Sequence, residues 1–183
     1  MSIILASASP RRKEIMQTAG LEFSVLVSDT DETLPDGITA FDAVTELAYR
    51  KALAVSKTHP DDTVIGADTV VTLDGKILGK PKDEEDAKNM LRTLSGRTHK
   101  VYTGVCIIRN GTANKFFEET NVTFYELSEK EINDYVISKE PMDKAGSYGI
   151  QGKGCALVKG ICGDYFNVVG LPVSRLIREL KKP

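Results

Sequence analysis

The chain alternates short apolar segments with helix-like segments over its first seventy residues, and this order limits the folds open to it. Ser2 to Ala6 and Thr63 to Ala67 are apolar runs that predict buried strands. Between them, Ser9-Pro10 predicts a helix with Ser9 as N-cap and Pro10 at its first position. Thr39 predicts the cap of a second helix that runs to about Lys57. This alternation favours an α/β protein.

Longer strands and turn signals follow in the second half of the chain. Asp74-Gly75 and Asn110-Gly111 each lie between β-rich segments and predict tight turns. Ser128 with Glu131 predicts a capping box that opens another helix. The other predicted elements are strands at Leu21 to Val27, Thr69 to Leu73, Lys76 to Leu78, Lys100 to Arg109, Phe116 to Tyr125 and Tyr165 to Val169, and helices that begin at Asp83 and Pro172. We therefore expect one domain over residues 1–183, with a mixed curved sheet, flanking helices and no sharp internal boundary.

Charge and composition exclude several classes of protein. The 24 Lys and Arg residues nearly balance the 26 Asp and Glu residues, and no basic stripe is present, which argues against nucleic-acid binding. No apolar run approaches the roughly 20 residues that span a bilayer, and the N-terminal segment lacks the charge order of a signal peptide. An odd number of cysteines without CxxC spacing favours reduced thiols. We expect a cytoplasmic protein that binds neither nucleic acid nor membrane.

Two hydroxyls and two guanidiniums crowd the turn between the first strand and the first helix, in the segment Ser7-Ala8-Ser9-Pro10-Arg11-Arg12. Helix N-termini carry free N–H groups and partial positive charge, and arginine binds phosphate oxygens in pairs. The segment therefore predicts a phosphate site. The alternative is a capped helix with solvated arginines, since no glycine pattern of a known nucleotide-binding loop is present.

Carboxylates form a second group of candidates. Asp68 follows the apolar run that ends at Ala67, where it could bind a metal, accept a proton from water or cap a turn. Asp29, Asp31 and Glu32 share one acidic loop, which either is solvated or completes a site with Asp68. The two histidines are too few and too far apart for a zinc site, so we expect carboxylate ligands and Mg²⁺ or Mn²⁺.

Two lysines and a glycine-rich segment complete the candidates. Lys51 lies among the apolar positions of its helix, and Lys80 lies in Gly79-Lys80-Pro81. Each lysine has two interpretations. It either binds a polyphosphate as a cation, or its aliphatic stem covers apolar surface while its ammonium reaches water. Gln151 lies in a glycine-rich stretch, and its amide offers a donor and an acceptor to the edge of a base. The alternative is a flexible surface loop.

Together these motifs resemble the Maf family of nucleoside triphosphate pyrophosphatases. The resembling segments, in the family's order, are LASASPRR at 5–12, DETLP at 31–35, Lys51, GADTVV at 66–71, GKP at 79–81, LSGRTHKVYTGV at 94–105, EPMDKAGSYGIQGKG at 140–154 and VVGLP at 168–172. The resemblance implies the elongated Maf/Ham1 fold of the inosine triphosphate pyrophosphatases, with a central cleft between two lobes. It also implies hydrolysis of a nucleoside triphosphate to the monophosphate and pyrophosphate with a divalent metal, and it suggests a homodimer.

The resemblance also implies roles for individual residues. Asp68 matches the family's catalytic acidic residue, and Glu32, Lys51 and Lys80 match its other catalytic residues. Asp68 and Glu32 would also hold the metal. The substrate-binding positions are Ser7, Arg11, Arg12, Thr69 and Gln151. Of these, Arg11, Thr69 and Gln151 mark the branch that prefers dTTP and UTP, with modified pyrimidine triphosphates as further candidate substrates.

The sequence leaves two other functions open: a nucleotide-binding regulator of septum formation in cell division, and a general phosphatase. Cleavage between the α- and β-phosphates needs water in line with the α-phosphorus and cations near the leaving pyrophosphate. The carboxylate at Asp68 and the two lysines suit that reaction, whereas a pure binder has little need of a general base. The sequence does not decide whether Asp68 holds the metal or accepts the proton of the water.

Overall fold

The computed structural model describes residues 2–27, 29–35 and 37–182, so the ends of the predicted domain, Met1 and Pro183, lie outside the described residues. The strands are β1 (Ile3–Leu5), β2 (Ser24–Val25), β3 (Thr63–Leu73), β4 (Lys76–Leu78), β5 (Thr98–Arg109), β6 (Thr112–Phe124) and β7 (Val158–Cys162). The helices are α1 (Pro10–Thr18), α2 (Ala40–Ser56), α3 (Glu84–Leu94), α4 (Glu129–Ile137), α5 (Tyr165–Val169) and α6 (Val173–Leu180). Short 3₁₀ turns cover Glu140–Asp143, Ala145–Ser147 and Gly152–Leu157.

The strands form one mixed sheet in the order β2-β1-β3-β5-β6-β7, with β4 paired to β3. Strand β1 is parallel to both of its neighbours, and Ile4 lies opposite Ser24 on one side and Val64 on the other. Strands β3 and β4 are antiparallel, as are β6 and β7. The mixed sheet with flanking helices confirms the predicted α/β class. Among the described helices, none is both long enough and apolar enough to cross a membrane.

The chain divides into two compact units, each with its own buried cluster. The first unit comprises the residues up to Thr69, Thr103–Glu118 and the residues from Gly170 onward. Its cluster contains Ile4, Ala6, Ala48, Ala52, Val55, Val64, Cys106 and Ile108. The second unit comprises Val70–Tyr102 and Glu119–Val169. Its cluster includes Val71, Leu91, Leu94, Val122, Phe124, Ile132, Tyr135 and Tyr148. The expected single domain with a central cleft stays a prediction.

Helix α2 lies directly on the sheet because the strand residues beneath it are glycines. A Cβ at Gly66 of β3 would lie 2.2 Å from the carbonyl oxygen of Ala48, and one at Gly104 of β5 would lie 2.4 Å from that of Val44. Neither distance leaves room for a side chain, so α2 can approach this closely only over glycine. The contact holds α2 on β3 beside Lys51.

The predicted N-caps are confirmed. The hydroxyl of Ser9 accepts from the Arg12 N–H, that of Thr39 accepts from Asp42, and the Asp83 carboxylate accepts from Asp86. Ser128 and Glu131 form the reciprocal capping box. These are contacts between residues three apart, so local sequence is enough to specify them.

The prediction of a strand at Tyr165 to Val169 is wrong, because this segment is helix α5. The Asp164 carboxylate accepts from the Phe166 N–H at 2.8 Å and caps the turn. The Asn167 amide is buried and donates to the Val101 carbonyl and the Thr120 hydroxyl at 3.1 and 2.9 Å. These side-chain bonds outweigh the strand preference of the two valines. The last strand is instead β7, inside the glycine-rich stretch.

Two other strand predictions also need correction. The predicted strand at Leu21 to Val27 is reduced to Ser24–Val25, which pairs with the short strand β1. The separate strands predicted on either side of Asp68 are one strand, β3, so Asp68 does not follow a strand but lies in its middle. Aspartate is disfavoured within strands, and here an ion pair offsets that preference.

Candidate active site

Lysine and two carboxylates meet where α2 packs against β3. The ammonium Nζ of Lys51 lies 2.6 Å from Oδ1 of Asp68 and 2.8 Å from Oε1 of Glu32. The side chains of Lys51 and Asp68 are each 15% exposed, whereas Glu32 reaches them from an exposed loop. Lys51 therefore lies among apolar positions of α2 because it pairs with these carboxylates, and the predicted metal ligands share one lysine.

Arg50, the neighbour of Lys51 on α2, fixes the backbone of the loop that carries Glu32. Its Nη1 donates to the carbonyl oxygens of Asp31 and Thr33, at 3.1 and 2.8 Å. Its Nε donates to Glu46 at 2.8 Å. The Asp31 carboxylate accepts from the Thr33 N–H at 2.8 Å and so closes a turn. Glu32 is thus the acidic-loop residue that meets Lys51, while Arg50 holds the peptide groups on either side of it.

Arg12 is held through all three parts of its guanidinium. Its Nε donates to the Gly170 carbonyl at 2.8 Å, and Nη1 and Nη2 donate to the hydroxyls of Ser7 and Thr69, both at 3.2 Å. The Thr69 hydroxyl also bonds to that of Thr103 at 2.9 Å. Burial lowers the pKa of Arg12 from its usual value, but arginine remains charged in proteins. A fixed cation therefore lies at the start of α1, where a phosphate site is predicted.

The charges of this region act on one another. The carboxylates of Asp68 and Glu32 raise the pKa of Arg12 and partly oppose the effect of burial, whereas Arg11 lowers it by like-charge repulsion. Asp68 and Thr69 are consecutive in β3, so the ion pairs and the Arg12 bonds share a segment. The predicted site residues other than Lys80 and Gln151 thus form one constellation in the first unit.

The two carboxylates that pair with Lys51 match a common arrangement for binding a divalent metal. Mg²⁺ is commonly held by one or two carboxylates together with phosphate oxygens of the substrate. Over the part of the chain that the structure describes, no group of three or more His, Cys, Asp or Glu side chains could hold a metal ion. Asp68 and Glu32 would therefore need the substrate's oxygens to complete a coordination shell.

Lys80 and Gln151 belong to the second unit. Lys80 is exposed in the turn after β4, and the Gly79 carbonyl before it accepts from the Gly146 N–H at 3.0 Å. Gln151 is half-buried and directly precedes the 3₁₀ turn Gly152–Leu157. The backbone bond thus ties the turn that carries Lys80 to the glycine-rich segment that carries Gln151. Their predicted roles remain predictions.

Four residues of these networks were not singled out from the sequence: Arg50, Thr103, Tyr135 and Glu140. Arg50 is adjacent to Lys51 and stands four residues after Glu46, a spacing that predicts a helical ion pair. Glu140 opens the segment EPMDKAGSYGIQGKG, and its carboxylate accepts from the Lys153 and Gly154 N–H groups. Thr103 and Tyr135 carry no comparable local signal, since Thr103 bonds to Thr69, 34 positions away, and the Tyr135 hydroxyl bonds to Glu140 and Gly149 at spacings that form no standard motif.

Comparisons with known proteins agree with this picture. The family described as "Maf-like protein" matches residues 2–183. A protein of Bacillus cereus (strain AH820) named dTTP/UTP pyrophosphatase is 57% identical over 180 residues, which cover 98% of this chain and 94% of the relative. Proteins of the same name from Bacillus thuringiensis subsp. konkukian and Bacillus anthracis are 57% and 56% identical over the same shares.

A solved structure supports the fold independently of those close relatives. The Ham1 protein of Staphylococcus aureus matches with a TM-score of 0.50 at 18% sequence identity. The match covers 69% of this chain and 73% of that protein. At this identity the likeness concerns the fold alone, and it confirms the predicted Maf/Ham1 fold class.

Proposed function

The chain belongs to the Maf-like protein family, and we propose that it hydrolyses dTTP and UTP to the nucleoside monophosphate and pyrophosphate. The observation that carries the proposal is the pairing of Lys51 with Asp68 and Glu32 near a fixed Arg12. This arrangement occurs in a chain 57% identical, over 98% of its length, to a protein named dTTP/UTP pyrophosphatase. Modified pyrimidine triphosphates are further candidate substrates.

The charges of the site suit attack of water at the α-phosphorus. Negative charge moves to the leaving pyrophosphate as the bond breaks, and fixed cations stabilise it without reorganising. Arg12 meets this need because its three hydrogen bonds hold the guanidinium in place. The carboxylate of Asp68 is the candidate base, since it is largely shielded from bulk water.

Lys51 has two roles in this proposal. Without substrate, its ammonium pairs with Asp68 and Glu32. A bound polyphosphate offers Lys51 a more highly charged partner, and rotation of the lysine toward it frees the Asp68 carboxylate to accept a proton. When Mg²⁺ or Mn²⁺ is held by Asp68 and Glu32, it would supply Lewis-acid activation of the phosphate oxygens.

Ser7 is oriented as a donor to an anion. Its hydroxyl oxygen accepts from the Ser9 N–H and from Nη1 of Arg12, both at 3.2 Å. A serine hydroxyl has two lone pairs and one proton, so these bonds leave the proton to donate to a phosphate oxygen. Ser7 and Arg12 can therefore bind the same phosphate.

A product-resolved assay tests the proposal. Purified protein with Mg²⁺ is mixed with dTTP, UTP, CTP, dATP or GTP, and pyrophosphate and orthophosphate are measured separately. We expect pyrophosphate from dTTP and UTP, and an Asp68→Asn variant that folds normally but loses about 100- to 10,000-fold in turnover. Asp62→Asn is the matched control, because the Asp62 carboxylate is bonded to Ser2 at the surface.

The other outcomes of this assay identify the other functions. Orthophosphate as the first product would indicate a general phosphatase, and tight binding of nucleotide without turnover would indicate the regulator of cell division. The names of the relatives favour the enzyme. A cytoplasmic location and a homodimer belong to the same proposal, and sedimentation of the purified protein measures the oligomeric state.

A further inference from the structure

One carboxylate holds the segment that contains Gln151. We name residues 149–154 the Gln151 loop. Oε2 of Glu140 accepts from the Lys153 N–H at 2.9 Å, and Oε1 accepts from the Gly154 N–H at 3.1 Å. Both oxygens are therefore bound to backbone amides just after Gln151. Glu140 thus fixes the C-terminal side of the loop.

A tyrosine on α4 fixes the other side. The hydroxyl of Tyr135 donates to Oε1 of Glu140 at 3.0 Å and accepts from the Gly149 N–H at 3.1 Å. Its ring belongs to the buried cluster of the second unit, with 4% of the residue exposed. Glu140 and Tyr135 thus hold backbone amides on both sides of Gln151. These are the amides of Gly149 before it and of Lys153 and Gly154 after it.

The glycines of the loop permit this close approach. A Cβ at Gly152 would lie 2.7 Å from Oε2 of Glu140, and Gly152 has a φ of +60°. A Cβ at Gly154 would lie 2.1 Å from the Gly149 carbonyl oxygen, so the two ends of the loop are in backbone contact. Glycine also makes a segment flexible unless other groups hold it, and here the side chains of Glu140 and Tyr135 do so.

The bonds to Glu140 are those of an ionised carboxylate. Burial by itself would raise the pKa of Glu140, but the amides of Lys153 and Gly154 and the Tyr135 hydroxyl bring it below its usual value. Lys144 adds positive charge next to the carboxylate, and its ammonium donates to the Glu140 carbonyl at 2.5 Å. Charge-assisted bonds of this kind are about twice as strong as neutral ones.

We propose that Glu140 and Tyr135 are positioning residues for base selection, which hold the Gln151 loop in the backbone conformation from which Gln151 pairs with the base. The inference rests on the proposed function and on the substrate-binding role that the family resemblance implies for Gln151. A site built to hydrogen-bond one base edge rejects other bases because its own polar groups are then left unpaired. That discrimination needs the amide held within a fraction of an ångström.

Two variants test the proposal. Glu140→Gln places an amide N–H₂ where one oxygen now accepts, and Tyr135→Phe removes the hydroxyl but keeps the ring. We expect Glu140→Gln to reduce the ratio of kcat/KM for dTTP over dATP by about 10- to 100-fold, with the kcat for dTTP changed less than about threefold. Tyr135→Phe should reduce the ratio by a smaller factor, and the double variant by less than the product of the two.

The matched control is Glu129→Gln, which removes a carboxylate of the same unit that binds Arg92 at 2.8 Å. Hydrogen exchange at the amides of Gly149, Lys153 and Gly154 gives a readout that is independent of activity. Exchange should accelerate in Glu140→Gln and not in the control. If Glu140→Gln does not fold, Tyr135→Phe decides by the same two measurements.

Each remaining outcome is decisive. Faster exchange with an unchanged selectivity ratio would show that the loop is held for another reason, and the proposal would be overturned. Unchanged exchange would overturn it directly. If the wild type hydrolyses no triphosphate, the proposed function fails, and the ratio of the dissociation constants for dTTP and dATP, compared between wild type and variants, then decides the positioning role.

Discussion

Lys51 of α2 and Asp68 of β3 form an ion pair of 2.6 Å whose two side chains are each 15% exposed. Removing one partner of a largely buried pair leaves the other charge desolvated and unpaired, which costs more than the pair itself contributes. The pair contributes to the stability of the fold, and in the proposed function the same two groups carry the chemistry of the site.

Replacing Lys51 with Met should separate these effects. We expect Lys51→Met to lower dTTP turnover at least about 100-fold and to reduce the free energy of unfolding by about 1–3 kcal/mol, since Asp68 and Glu32 lose their shared cation. The double variant Lys51→Met/Asp68→Asn should recover part of the stability but no activity. Urea unfolding and pyrophosphate release measure the two quantities. A double variant no more stable than Lys51→Met would contradict this account of the pair.

Arg12→Lys tests whether geometry matters as well as charge. Lysine keeps the positive charge but cannot reach Gly170, Ser7 and Thr69 together, as the guanidinium does. We expect affinity for dTTP to fall about 10-fold or more and affinity for dTMP to fall less, because a monophosphate lacks the outer phosphates. Calorimetric titration of both nucleotides gives the comparison. Equal losses would indicate a structural role for Arg12 instead.

Gly66→Ala should destabilise the protein through α2. The new Cβ would lie 2.2 Å from the Ala48 carbonyl oxygen and 2.7 Å from the Ala52 nitrogen, both backbone atoms that cannot rotate away. We expect a loss of about 1–3 kcal/mol in unfolding free energy, with reduced activity because Lys51 moves with the helix. Gly160→Ala in β7 is the control, since a Cβ there has open space around it.

Acid should weaken the fold through His99. This residue is 2% exposed, its ring lies edge-on to Phe124 and Tyr148, and its Nε2 lies 2.7 Å from the Tyr148 hydroxyl. Burial lowers the pKa of His99 from 6.5 to about 4. Between these values the unfolded chain binds the proton and the folded protein does not, so stability is full above pH 6.5 and falls as the pH drops toward 4.

The loss from His99 over that interval should reach about 3 kcal/mol. His99→Gln keeps a hydrogen-bonding partner for Tyr148 but does not titrate, so its unfolding free energy should fall less between pH 6.5 and pH 4.5. Tyr148→Phe removes the bond and keeps the titration, and it should retain the full pH dependence. Urea unfolding at the two pH values tests both variants.

Sequence reasoning succeeded where contacts are local and was limited where they are distant. Ser9 and Ser128 cap helices through residues three positions away, so their pattern is visible in the chain. The Lys51–Asp68 pair joins a helix to a strand across 17 positions, so local sequence does not reveal that these two residues meet. The same pair explains why the predicted strand ended before Asp68, whereas β3 continues through it. The cation that stabilises this aspartate inside β3 comes from helix α2.

Distant contacts also account for the wrong strand at Tyr165 to Val169 and for the networks that the motifs did not reveal. Asn167 finds its partners 47 and 66 positions away, and these bonds set the segment's conformation. The motif around Gln151 was recognisable as a sequence and includes Glu140, but the motif alone does not reveal that this carboxylate binds the amides of Lys153 and Gly154. The roles of Lys80 and Gln151 rest on the resemblance to the family and stay predictions.

The bond from Arg12 to the Gly170 carbonyl joins positions 158 residues apart and bears on how the protein is made. The ribosome releases the first strands and α2 early, so Lys51 and Asp68 can pair well before Gly170 is accessible. Arg12 cannot form its bond to the Gly170 carbonyl until residue 170 has left the ribosomal exit tunnel. A nascent chain stalled before that point should expose an arginine that lacks one of its holding groups. Nucleotide binding should therefore mature only after Gly170 has emerged.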